Sequence, residues 1–572
     1  MGRVPDVHTE QPRFYPPLLD QLRRENAIQP EVAKVWSRFQ ELAAIPRPTK
    51  GEKQAANWVK QWAMERNYDV SQDEFGNVFV QVPESKGFTP TESIPNLIFQ
   101  GHLDMVDIPT ATKDDQHISP GTYGVEPKVE TRTDGTLVVV GTNKGKRTSL
   151  GADNGIGVAG MMTMAEYFDE HSDTPHAGFG LLFTLHEEDG LLGAHNLAIT
   201  DVFKPNTLVI NVDNEKKENV CLGSAGGGYT DAKVHVNREV IPFDAQVLEI
   251  SITGHHGGHS GADISTVDTN ANQTVGRLLK RALESEPKID LQLVAIDGGE
   301  KKNAIPREAK VVVTVKNSAQ QSQLNALLAD EQKERRRTNT NEPEFSITLK
   351  PVEASNRPVT MITRASTEKV VTLLTTLPHG IKSYETVGNV TGNVRTSTNF
   401  ATIKLTDNFA DEWVNFGFMT RSSNMEELEA HRTEIAQTFV NIDSNRLFVE
   451  RHHPAPMITQ GETFPCWEPG NDQTALSLLQ FASNTAFGKT LSEETTHGGL
   501  EIGEFLRLFG ERFPGKPRQV QFISFGPTIN NPHTEHEEVE VESVEWFYTL
   551  LCSIPQQIVD WYTKQQETSV RR

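Results

Sequence analysis

Cysteine is scarce in this chain, and long apolar runs are missing. Only three cysteines occur among 572 residues, namely Cys221, Cys466 and Cys552, and no two of them form a Cys-x-x-Cys pair. This spacing argues against a disulfide scaffold and against a zinc site built from thiolates, and it is typical of the reducing cytoplasm. No apolar run reaches about 18 residues, so the sequence predicts no membrane-spanning helix.

Basic residues are too few for a surface that follows nucleic acid. Lys and Arg total 55 against 77 Asp and Glu, which gives a net charge of −22. A basic cluster at 335–337 has acidic flanks, so we interpret the polar segment 331–345 as a solvated loop. The first residues contain no apolar signal core, and Asp6 stands where a myristoylation signal has Ser or Thr. We expect a cytoplasmic protein without nucleic-acid or membrane partners.

The pattern of predicted strands and helices changes along the chain. At about 150 residues per domain the length would give three to four domains, but the pattern indicates two. Buried strands alternate with helices in the first part, at residues 96–102, 180–185 and 207–212. Such alternation predicts an α/β domain with a mostly parallel sheet covered by helices.

A second domain interrupts the first. After residue 225 alternating strands such as 247–252 are interleaved with helical stretches, and the α/β pattern returns from about residue 461. We therefore predict an irregular N-terminal arm, a main α/β domain in two pieces and an inserted α+β domain, which comprise residues 1–30, 31–225 with 461–572, and 226–460.

Three of the predicted strands end in side chains that bind divalent metals. His102 and Asp104 end the first strand, Glu187 and Glu188 follow the second, and Asp213 follows the third. In parallel α/β sheets, ligands bind beyond the carboxyl ends of the strands. A lone His-x-Asp or Glu-Glu pair is commonly an ordinary surface group, but their coincidence at successive strand ends predicts a metal site.

Two further residues complete a ligand set for two metal ions. Asp153 lies in a glycine-bracketed turn that opens a helix, and His533 follows a predicted strand at 520–525. Two metals about 3.5–4 Å apart need a bridging carboxylate and additional His or carboxylate ligands. The candidates are His102, Asp153, Glu188, Asp213 and His533. Asp104 is close enough in sequence to His102 to accept a hydrogen bond from its second ring nitrogen.

A second carboxylate, Glu187, stands next to the candidate ligand Glu188 and indicates a hydrolase. Adjacent glutamates on an extended segment point to opposite sides, so Glu188 can bind a metal while Glu187 faces a bound water only if a local turn permits it. A carboxylate near such a water is a suitable general base.

Nine segments occur here in the order found in a known family. They are residues 44–48 (AIPRP), 100–106 (QGHLDMV), 149–157 (SLGADNGIG), 187–194 (EEDGLLGA), 257–261 (GGHSG), 303–309 (NAIPREA), 467–469 (WEP), 497–503 (HGGLEIG) and 526–528 (GPT) before His533. The chain thereby resembles the zinc metallopeptidase family of aminoacylases, carboxypeptidase G and carnosine-type dipeptidases. Within that family it is most similar to the aminoacyl-histidine (Xaa-His) type.

The resemblance implies a fold and a cofactor. The fold is a catalytic α/β domain with a mostly parallel central sheet flanked by helices, interrupted by an inserted α+β lid domain that dimerises. The cofactor is a pair of Zn²⁺ ions, with Mn²⁺ or Co²⁺ as alternatives. One ion is held by His102 and Asp213 and the other by Glu188 and His533, while Asp153 bridges them.

The resemblance also implies roles for the residues around the metals. Glu187 is the general base, which takes a proton from the attacking water and passes it to the leaving amine, while Asp104 orients His102. Family members commonly have a cis peptide after the bridging aspartate, which is the Asp153–Asn154 bond in this chain.

The lid domain is expected to supply substrate contacts. His259 would stabilise the developing oxyanion, although its glycine-rich segment with two neighbouring histidines could also be a surface cluster that binds metal adventitiously. Asn303 and Arg421 are candidates for the terminal carboxylate of the substrate, since the planar guanidinium of arginine pairs with it in bidentate fashion. Gly499 and Glu501 are candidates for the pocket of the substrate amine, and a solvated loop position is the alternative for Glu501.

The segment that carries the last ligand departs from the family pattern. It is residues 531–537 (NPHTEHE), in which His536 is a rival ligand to His533. We prefer His533, because a residue three positions further on would face elsewhere.

Together these features imply a cytoplasmic, homodimeric, dinuclear zinc dipeptidase that hydrolyses unblocked dipeptides, including Xaa-His dipeptides such as carnosine. An aminoacylase or a tripeptidase of the same family is an alternative. A non-catalytic metal-binding scaffold is a further alternative, against which stands the presence of every ligand and of the base.

Overall fold

The structure, a computed structural model, forms two compact units. It describes residues 18–25, 28–91, 94–108, 110–111, 117–199, 202–267, 269–387, 390–444, 454–468, 474–515 and 520–570. Unit 1 comprises Met1–Leu222, Pro469–Glu494 and Glu504–Arg572, and unit 2 comprises Gly223–Glu468 and Thr495–Gly503. These bounds differ from the predicted domains in the second half of the chain, where residues 461–468 and 495–503 belong to unit 2.

An eight-stranded sheet forms the centre of unit 1. In spatial order its strands are Asp69–Gln72, Val78–Val82, Phe179–Thr184, Asn96–His102, Thr207–Asn211, Val520–Ser524, Asn219–Ser224 and Ser492–Thr496. The third to sixth strands run parallel, and the second and seventh pair antiparallel with them. The predicted α/β fold is confirmed, although its parallel strands are confined to the centre of the sheet.

Helices cover this sheet, and its central strands are buried and mostly apolar. Every residue of Phe179–Thr184 and of Thr207–Asn211 is buried, as expected for parallel strands with both faces covered. The helices are Leu18–Arg24, Pro30–Ala43, Lys53–Glu65, Pro120–Tyr123, Ala152–Glu170, Leu192–His195, Thr474–Phe487, Ile502–Arg512 and Val541–Val570. Ala152–Glu170 packs on the strand Asn96–His102 and against the helices at both ends of the chain.

A second, five-stranded sheet in unit 1 orders the segment that carries His533. It contains Ile529–Asn530, Glu538–Glu540, Leu137–Asn143, Glu126–Thr131 and Lys146–Arg147. The first two of these strands pair antiparallel and flank residues 531–537. A short ladder joins Thr110–Ala111 to His117–Ile118.

Unit 2 is built on a nine-stranded antiparallel sheet. The order is Ser346–Pro351, Gln246–Thr253, Ala309–Val315, Leu291–Gly298, Val390–Leu405, Trp413–Ser422, Gly226–His235 and Met457–Phe464, and Gly380–Val387 pairs with Val390–Leu405. Its helices are Ala271–Leu283, Ser318–Thr338, Arg364–Thr376 and Met425–Asp443, with a 3₁₀ turn at Ala354–Asn356. Two short ladders pair Arg238–Val240 with Thr360–Ile362 and Gly258–His259 with Ala304–Ile305.

The predicted N-terminal arm is wrong for its final part. Residues 1–17 and 26–27 lie outside the described residues, but Leu18–Arg24 is a helix. Leu18 and Leu22 lie one helical turn apart, and both are buried in the core of unit 1. Their i, i+4 spacing explains why this part of the chain packs as a helix.

The predicted solvated loop at 331–345 is also wrong, because the helix Ser318–Thr338 continues through its first half. The side chain of Asn317 caps the helix start by accepting from Gln320 N. Charged residues one turn apart pair along the exposed side, as in Glu334 with Arg337, while Leu328 faces the core. The many charged residues in the first half of this segment therefore belong to the solvent-exposed face of a helix.

Among the residues that the structure describes, no helix combines the length and the apolar character needed to cross a bilayer.

Candidate metal centre

The four parallel strands of unit 1 end at the same edge of the sheet, and metal-binding side chains follow each of them there. His102 is the last residue of its strand, Glu187 and Glu188 lie beyond the next strand, and Asp213 lies beyond the third. His533 comes nine residues after the fourth strand ends at Ser524. The topology therefore gathers residues that are up to 431 positions apart in the chain.

The carboxylate of Asp153 lies between two imidazoles. Its Oδ1 is 3.0 Å from His102 Nε2 and its Oδ2 is 3.0 Å from His533 Nε2. Asp213 Oδ1 lies 3.4 Å from His102 Nε2, and Glu188 Oε2 lies 3.0 Å from His533 Nε2. Asp153 thus belongs to two groups of three candidate ligands, and within each group the ligand atoms all lie within 4.8 Å of one another.

A non-helical turn at the start of the helix Ala152–Glu170 presents Asp153. The backbone of Asp153 has φ −75° and ψ 110°, and the Asp153–Asn154 peptide bond is cis, as the resemblance implied. The preceding Gly151 has φ 67°, and a Cβ there would lie 2.5 Å from Arg47 Nη2. Glycine is required at this position both by the left-handed backbone and by the close approach of Arg47.

Burial and mutual charge shift the titration of this cluster. Burial raises the pKa of Glu188 to about 7 and that of Asp213 to about 6, and the charge of Asp153 adds to both increases. Burial also opposes ionisation of Asp153, but hydrogen bonds from His102 and His533 outweigh it and hold the pKa of Asp153 below its usual range. Burial opposes protonation of both imidazoles, yet the surrounding carboxylates keep their pKa values well above the ordinary one.

The donor set fits divalent cations. Imidazole nitrogens and carboxylate oxygens are ligands for Zn²⁺ and for related ions. Glu188 Oε1 is buried and makes no hydrogen bond with any described residue. A buried carboxylate is ordinarily paired or bound to a metal, so a cation at each of the two groups would satisfy this oxygen and reduce the repulsion among the three acids.

Asp104 contacts His102 and the turn that carries Glu187 and Glu188. It is fully buried, and its Oδ1 lies 3.4 Å from His102 Nδ1. Its two oxygens accept from the backbone N–H groups of Glu187 at 3.0 Å and Glu188 at 3.1 Å. Burial opposes ionisation of Asp104, but His102 and these N–H groups lower its pKa.

Glu187 lies in the turn that follows the strand Phe179–Thr184 and forms a further group of candidate ligands with His102 and Glu188. His186 before it has φ 51°, which turns the chain after the strand has ended at Thr184. A carboxylate oxygen of Glu187 lies within 4.8 Å of ligand atoms of His102 and Glu188. Glu187 therefore lies beside the candidate ligands, close enough to act on a molecule bound there.

Arg47 is a buried residue to which the sequence assigned no role. Its guanidinium donates to the carbonyls of Leu103 at 2.8 Å, Asp104 at 3.0 Å and Gly151 at 2.5 Å. Burial lowers its pKa to about 10, and the charges of Glu537 and Asp104 oppose that decrease. Its position between two prolines in a segment shared with the family was the available signal.

Glu52 and Glu537 are two further buried carboxylates that the sequence did not single out. Glu52 accepts from His186 N at 3.1 Å, and Glu537 accepts from backbone N–H groups of the Asp153 turn. Burial raises the pKa of both carboxyls, and their hydrogen bonds from backbone N–H groups oppose the increase. Nothing in a single sequence distinguishes Glu537 from its exposed neighbour Glu535.

His536 lies apart from the candidate ligands. Its side chain is 73% exposed, and its contact is with Glu535 at 3.8 Å. His533 is the histidine of this segment that meets Asp153 and Glu188.

In unit 2, His259 and Arg421 lie together. Arg421 Nη2 is 3.1 Å from His259 Nε2, and Arg421 Nε lies 3.3 Å from Ser260 Oγ. The backbone N–H of Ala262 lies 3.2 Å from Nδ1 of the same ring. A neutral imidazole accepts at only one ring nitrogen, so this N–H and the Arg421 guanidinium compete as donors to His259.

The other predicted substrate residues of unit 2 are near this pair or buried. The carbonyl of Asn303 accepts from Ser260 N at 2.8 Å. Gly499 packs on the Phe464 ring, over which the Arg421 guanidinium lies at 5.8 Å. Glu501 is fully buried, so its interpretation as a solvated loop residue is wrong.

The alternative of a surface histidine cluster around His259 is not supported. His255 is buried, with Nδ1 3.0 Å from Glu342 and Nε2 3.1 Å from Thr274 Oγ1. It therefore belongs to the interior of unit 2, while His256 beside it is exposed.

Two family models match the chain. The model described as Peptidase family M28 matches residues 77–276, and the Peptidase dimerisation domain matches residues 245–337. Fold, site and matches together identify the chain as a peptide hydrolase that is similar to M28 peptidases over residues 77–276 and to a peptidase dimerisation domain over residues 245–337.

Individual relatives agree with this class. The cytosol non-specific dipeptidase of Escherichia coli (strain K12) is 29% identical over 524 residues, which cover 92% of this chain and 97% of that protein. The crystal structure of aminoacylhistidine dipeptidase from Vibrio alginolyticus is similar with a TM-score of 0.63 and 26% identity, over 92% of this chain and 96% of that one. A tripeptidase structure from Staphylococcus aureus shares the fold, with a TM-score of 0.50 and 14% identity over 92% of this chain and 98% of that one.

Proposed function

We propose that this protein is a dinuclear zinc dipeptidase that hydrolyses unblocked dipeptides, including Xaa-His dipeptides such as carnosine. The observation that carries the proposal is the carboxylate of Asp153, which lies 3.0 Å from each of two imidazoles and belongs to two groups of candidate ligands. A shared carboxylate of this kind is what a co-catalytic metal pair requires.

In this proposal His102 and Asp213 would hold one metal, Glu188 and His533 would hold the other, and Asp153 would be a ligand of both. Zn²⁺ is the proposed ion, with Mn²⁺ and Co²⁺ as alternatives, because all three accept imidazole and carboxylate ligands. A bound pair supplies Lewis acidity toward the scissile carbonyl and favours deprotonation of a water.

Glu187 is the general base of the proposed reaction. Its carboxylate lies beside the candidate ligands, so it can take the proton of the attacking water and return it to the leaving amine. Asp104 fixes the backbone of the turn that carries Glu187 and faces Nδ1 of His102. The carboxylate of Asp104 thus orients the base and one ligand together.

The residues of unit 2 are proposed to bind the substrate. His259 and Arg421 lie together, and the N–H groups of an imidazole and of a guanidinium suit an oxygen that gains negative charge during the reaction. Arg421 and Asn303 are proposed for the terminal carboxylate, and Gly499 and Glu501 for the free amine. A free amine next to the scissile bond would explain a preference for unblocked substrates.

The relatives support the substrate class and the setting. One is named as a cytosol non-specific dipeptidase and another as an aminoacylhistidine dipeptidase, which favours a cytoplasmic enzyme that acts on dipeptides. The match to a peptidase dimerisation domain supports a homodimer formed through the lid.

Metal analysis combined with a substrate panel tests the proposal. Purified protein should contain two metal ions per chain, lose activity on dialysis against a chelator and regain it with Zn²⁺, Mn²⁺ or Co²⁺. The panel contains free dipeptides with and without a C-terminal histidine, matched tripeptides and N-acyl amino acids. Turnover confined to N-acyl amino acids or to tripeptides would instead favour the aminoacylase or tripeptidase alternative, and a metal-loaded protein inactive on the whole panel would favour the scaffold.

A further inference from the structure

We infer that Glu537 is a positioning residue, which holds the turn of Asp153 so that its carboxylate spans the two groups of ligands. The inference rests on the proposed function, because it assigns Asp153 the bridging role. Glu537 is outside both ligand groups and outside the set of residues to which the sequence assigned a role.

Both oxygens of Glu537 are used by the turn. Oε2 accepts from Leu150 N at 2.7 Å and from Gly151 N at 2.9 Å. Oε1 accepts from Ala152 N at 2.8 Å and from Asp153 N at 3.2 Å. Four consecutive backbone N–H groups, the last belonging to the bridging residue itself, therefore depend on one side chain.

No local side chain performs this task. The first N–H groups of a helix lack intrahelical acceptors, and the residue before the helix usually supplies one. Here that residue is Gly151, which has no side chain, and the next turn is non-helical at Asp153 and Asn154. Glu537, which is 2% exposed, supplies the acceptors from a position 384 residues away from Asp153.

The opposite side of the turn is held by Arg47. Its Nη2 donates to the carbonyl of Gly151 at 2.5 Å, whose N–H is bound to Glu537. The peptide groups next to Asp153 are thus fixed on both their donor and their acceptor sides. Arg47 and Glu537 carry opposite charges, so the turn is held without a net charge added to the site.

Glu537 also joins two ligands into one structural element. It lies four residues after His533, between the paired strands Ile529–Asn530 and Glu538–Glu540, and its own N–H donates to Thr534 O at 3.3 Å. The segment that carries His533 therefore also fixes Asp153, the residue with which His533 shares a ligand group.

Glu537→Gln tests this assignment with almost no change in volume. The amide keeps one acceptor oxygen, but its NH₂ faces two N–H donors of the turn, so Asp153 should lose its fixed position. Loss of a residue that orients a ligand typically weakens metal binding about 10- to 100-fold, and we expect a loss in that range for at least one of the two ions. kcat should fall when the variant is not saturated with metal.

The experiment measures metal binding directly. Full-length apoprotein is titrated with Zn²⁺ in a chelator buffer, and the titration is repeated with Co²⁺, whose visible absorption reports ligand geometry. Glu166→Gln is the matched control, because Glu166 is a buried carboxylate at the other end of the same helix and accepts from Arg38, Trp62 and Arg66. The Glu166→Gln variant should have a lower thermal stability, and it should bind both metals as the wild type does.

The outcomes separate this inference from the proposed function. A wild-type protein that binds fewer than two ions would contradict the dinuclear proposal itself. A wild type with two ions and a Glu537→Gln variant with unchanged affinities and Co²⁺ spectrum would overturn the role of Glu537. If the glutamine variant does not fold, Glu537→Asp is measured in its place: the shorter side chain keeps the charge but not the reach, and wild-type metal affinity there would equally overturn the role.

Discussion

Two histidines of unit 1 and two of unit 2 differ in the charge around them. Carboxylates surround His102 and His533 and keep the pKa of both imidazoles well above the ordinary value, although burial opposes this. Burial lowers the pKa of His379 to about 4, and burial together with the charge of Arg421 lowers that of His497 to about 3. The carboxylates around the first pair attract positive charge, whereas the second pair is held neutral.

The comparison of these two pairs shows that a histidine indicates a metal centre only where carboxylates surround it. His379 accepts through Nδ1 from Asn270 Nδ2 at 3.2 Å and from Phe400 N at 3.3 Å, which is a structural use of the ring. His102 uses one nitrogen toward Asp104 and the other toward Asp153 and Asp213. Variants that remove a carboxylate in unit 1 and a histidine in unit 2 should therefore have effects of different kinds.

Asp153→Asn should have the largest effect. Because Asp153 belongs to both ligand groups, we expect loss of both metal ions and of all measurable dipeptidase activity. Asp213→Asn, which alters one group, should leave one ion per chain. Metal analysis after gel filtration measures both, and retention of two ions by Asp153→Asn would contradict the bridging role.

Glu187→Gln should abolish most turnover while the metals stay bound. Removal of a general base typically costs about 10²- to 10⁴-fold in rate, and we expect kcat to fall in that range with two ions per chain. The check is kcat and metal content on the same preparation. Loss of metal from this variant would move Glu187 from the base to the ligand set.

His259→Ala should lower kcat with the metals intact, because His259 is in unit 2 and outside the ligand groups. Loss of one donor to an oxyanion typically costs about 10²- to 10³-fold. The exposed His256 in the same segment offers a matched control, since His256→Ala should leave kcat unchanged. An unaltered rate in His259→Ala would remove this residue from the mechanism.

His379→Gln should have the smallest effect and change only the pH dependence of stability. The pKa of His379 is lowered by burial to about 4, so between that pH and its ordinary value the unfolded chain binds a proton that the folded chain does not. Folding stability therefore rises with pH in this window, by about 1.4 kcal/mol per unit at most. Urea unfolding at several pH values should show a shallower slope for the variant, and an identical slope would show that His379 does not titrate on unfolding.

Much of the geometry around the candidate ligands was predictable from the sequence. Uninterrupted apolar strands ending in His102, Glu187 and Asp213 predicted one sheet edge, because parallel strands place their carboxyl ends together. The strands Asn219–Ser224 and Ser492–Thr496 at one side of the sheet were not predicted, since a short strand such as Ser492–Thr496 carries little periodic signal. The helix Ser318–Thr338 was missed because charged residues dominate its composition, and composition does not report the pairing of charges along one face.

The residues that fix the ligands were beyond prediction from one sequence. Glu537 and the Asp153 turn are separated by 384 positions, and local pattern contains no information on which distant segments meet. Arg47 was visible only as part of a segment shared with the family. The proximity of His259 to Arg421 also required the structure, since they come from separate strands of unit 2.

The chain order of the two units has a consequence for synthesis on the ribosome. The strand Val520–Ser524 occupies an interior place in the sheet of unit 1, and residues 495–503, with His497 bonded through Nε2 to Ser397 Oγ at 2.8 Å, belong to unit 2. Unit 2 is incomplete until residues 495–503 have left the exit tunnel, and unit 1 is incomplete until the strand Val520–Ser524 has followed. Neither unit can therefore complete its folding before the other is largely synthesised, although domains commonly fold in order from the N-terminus.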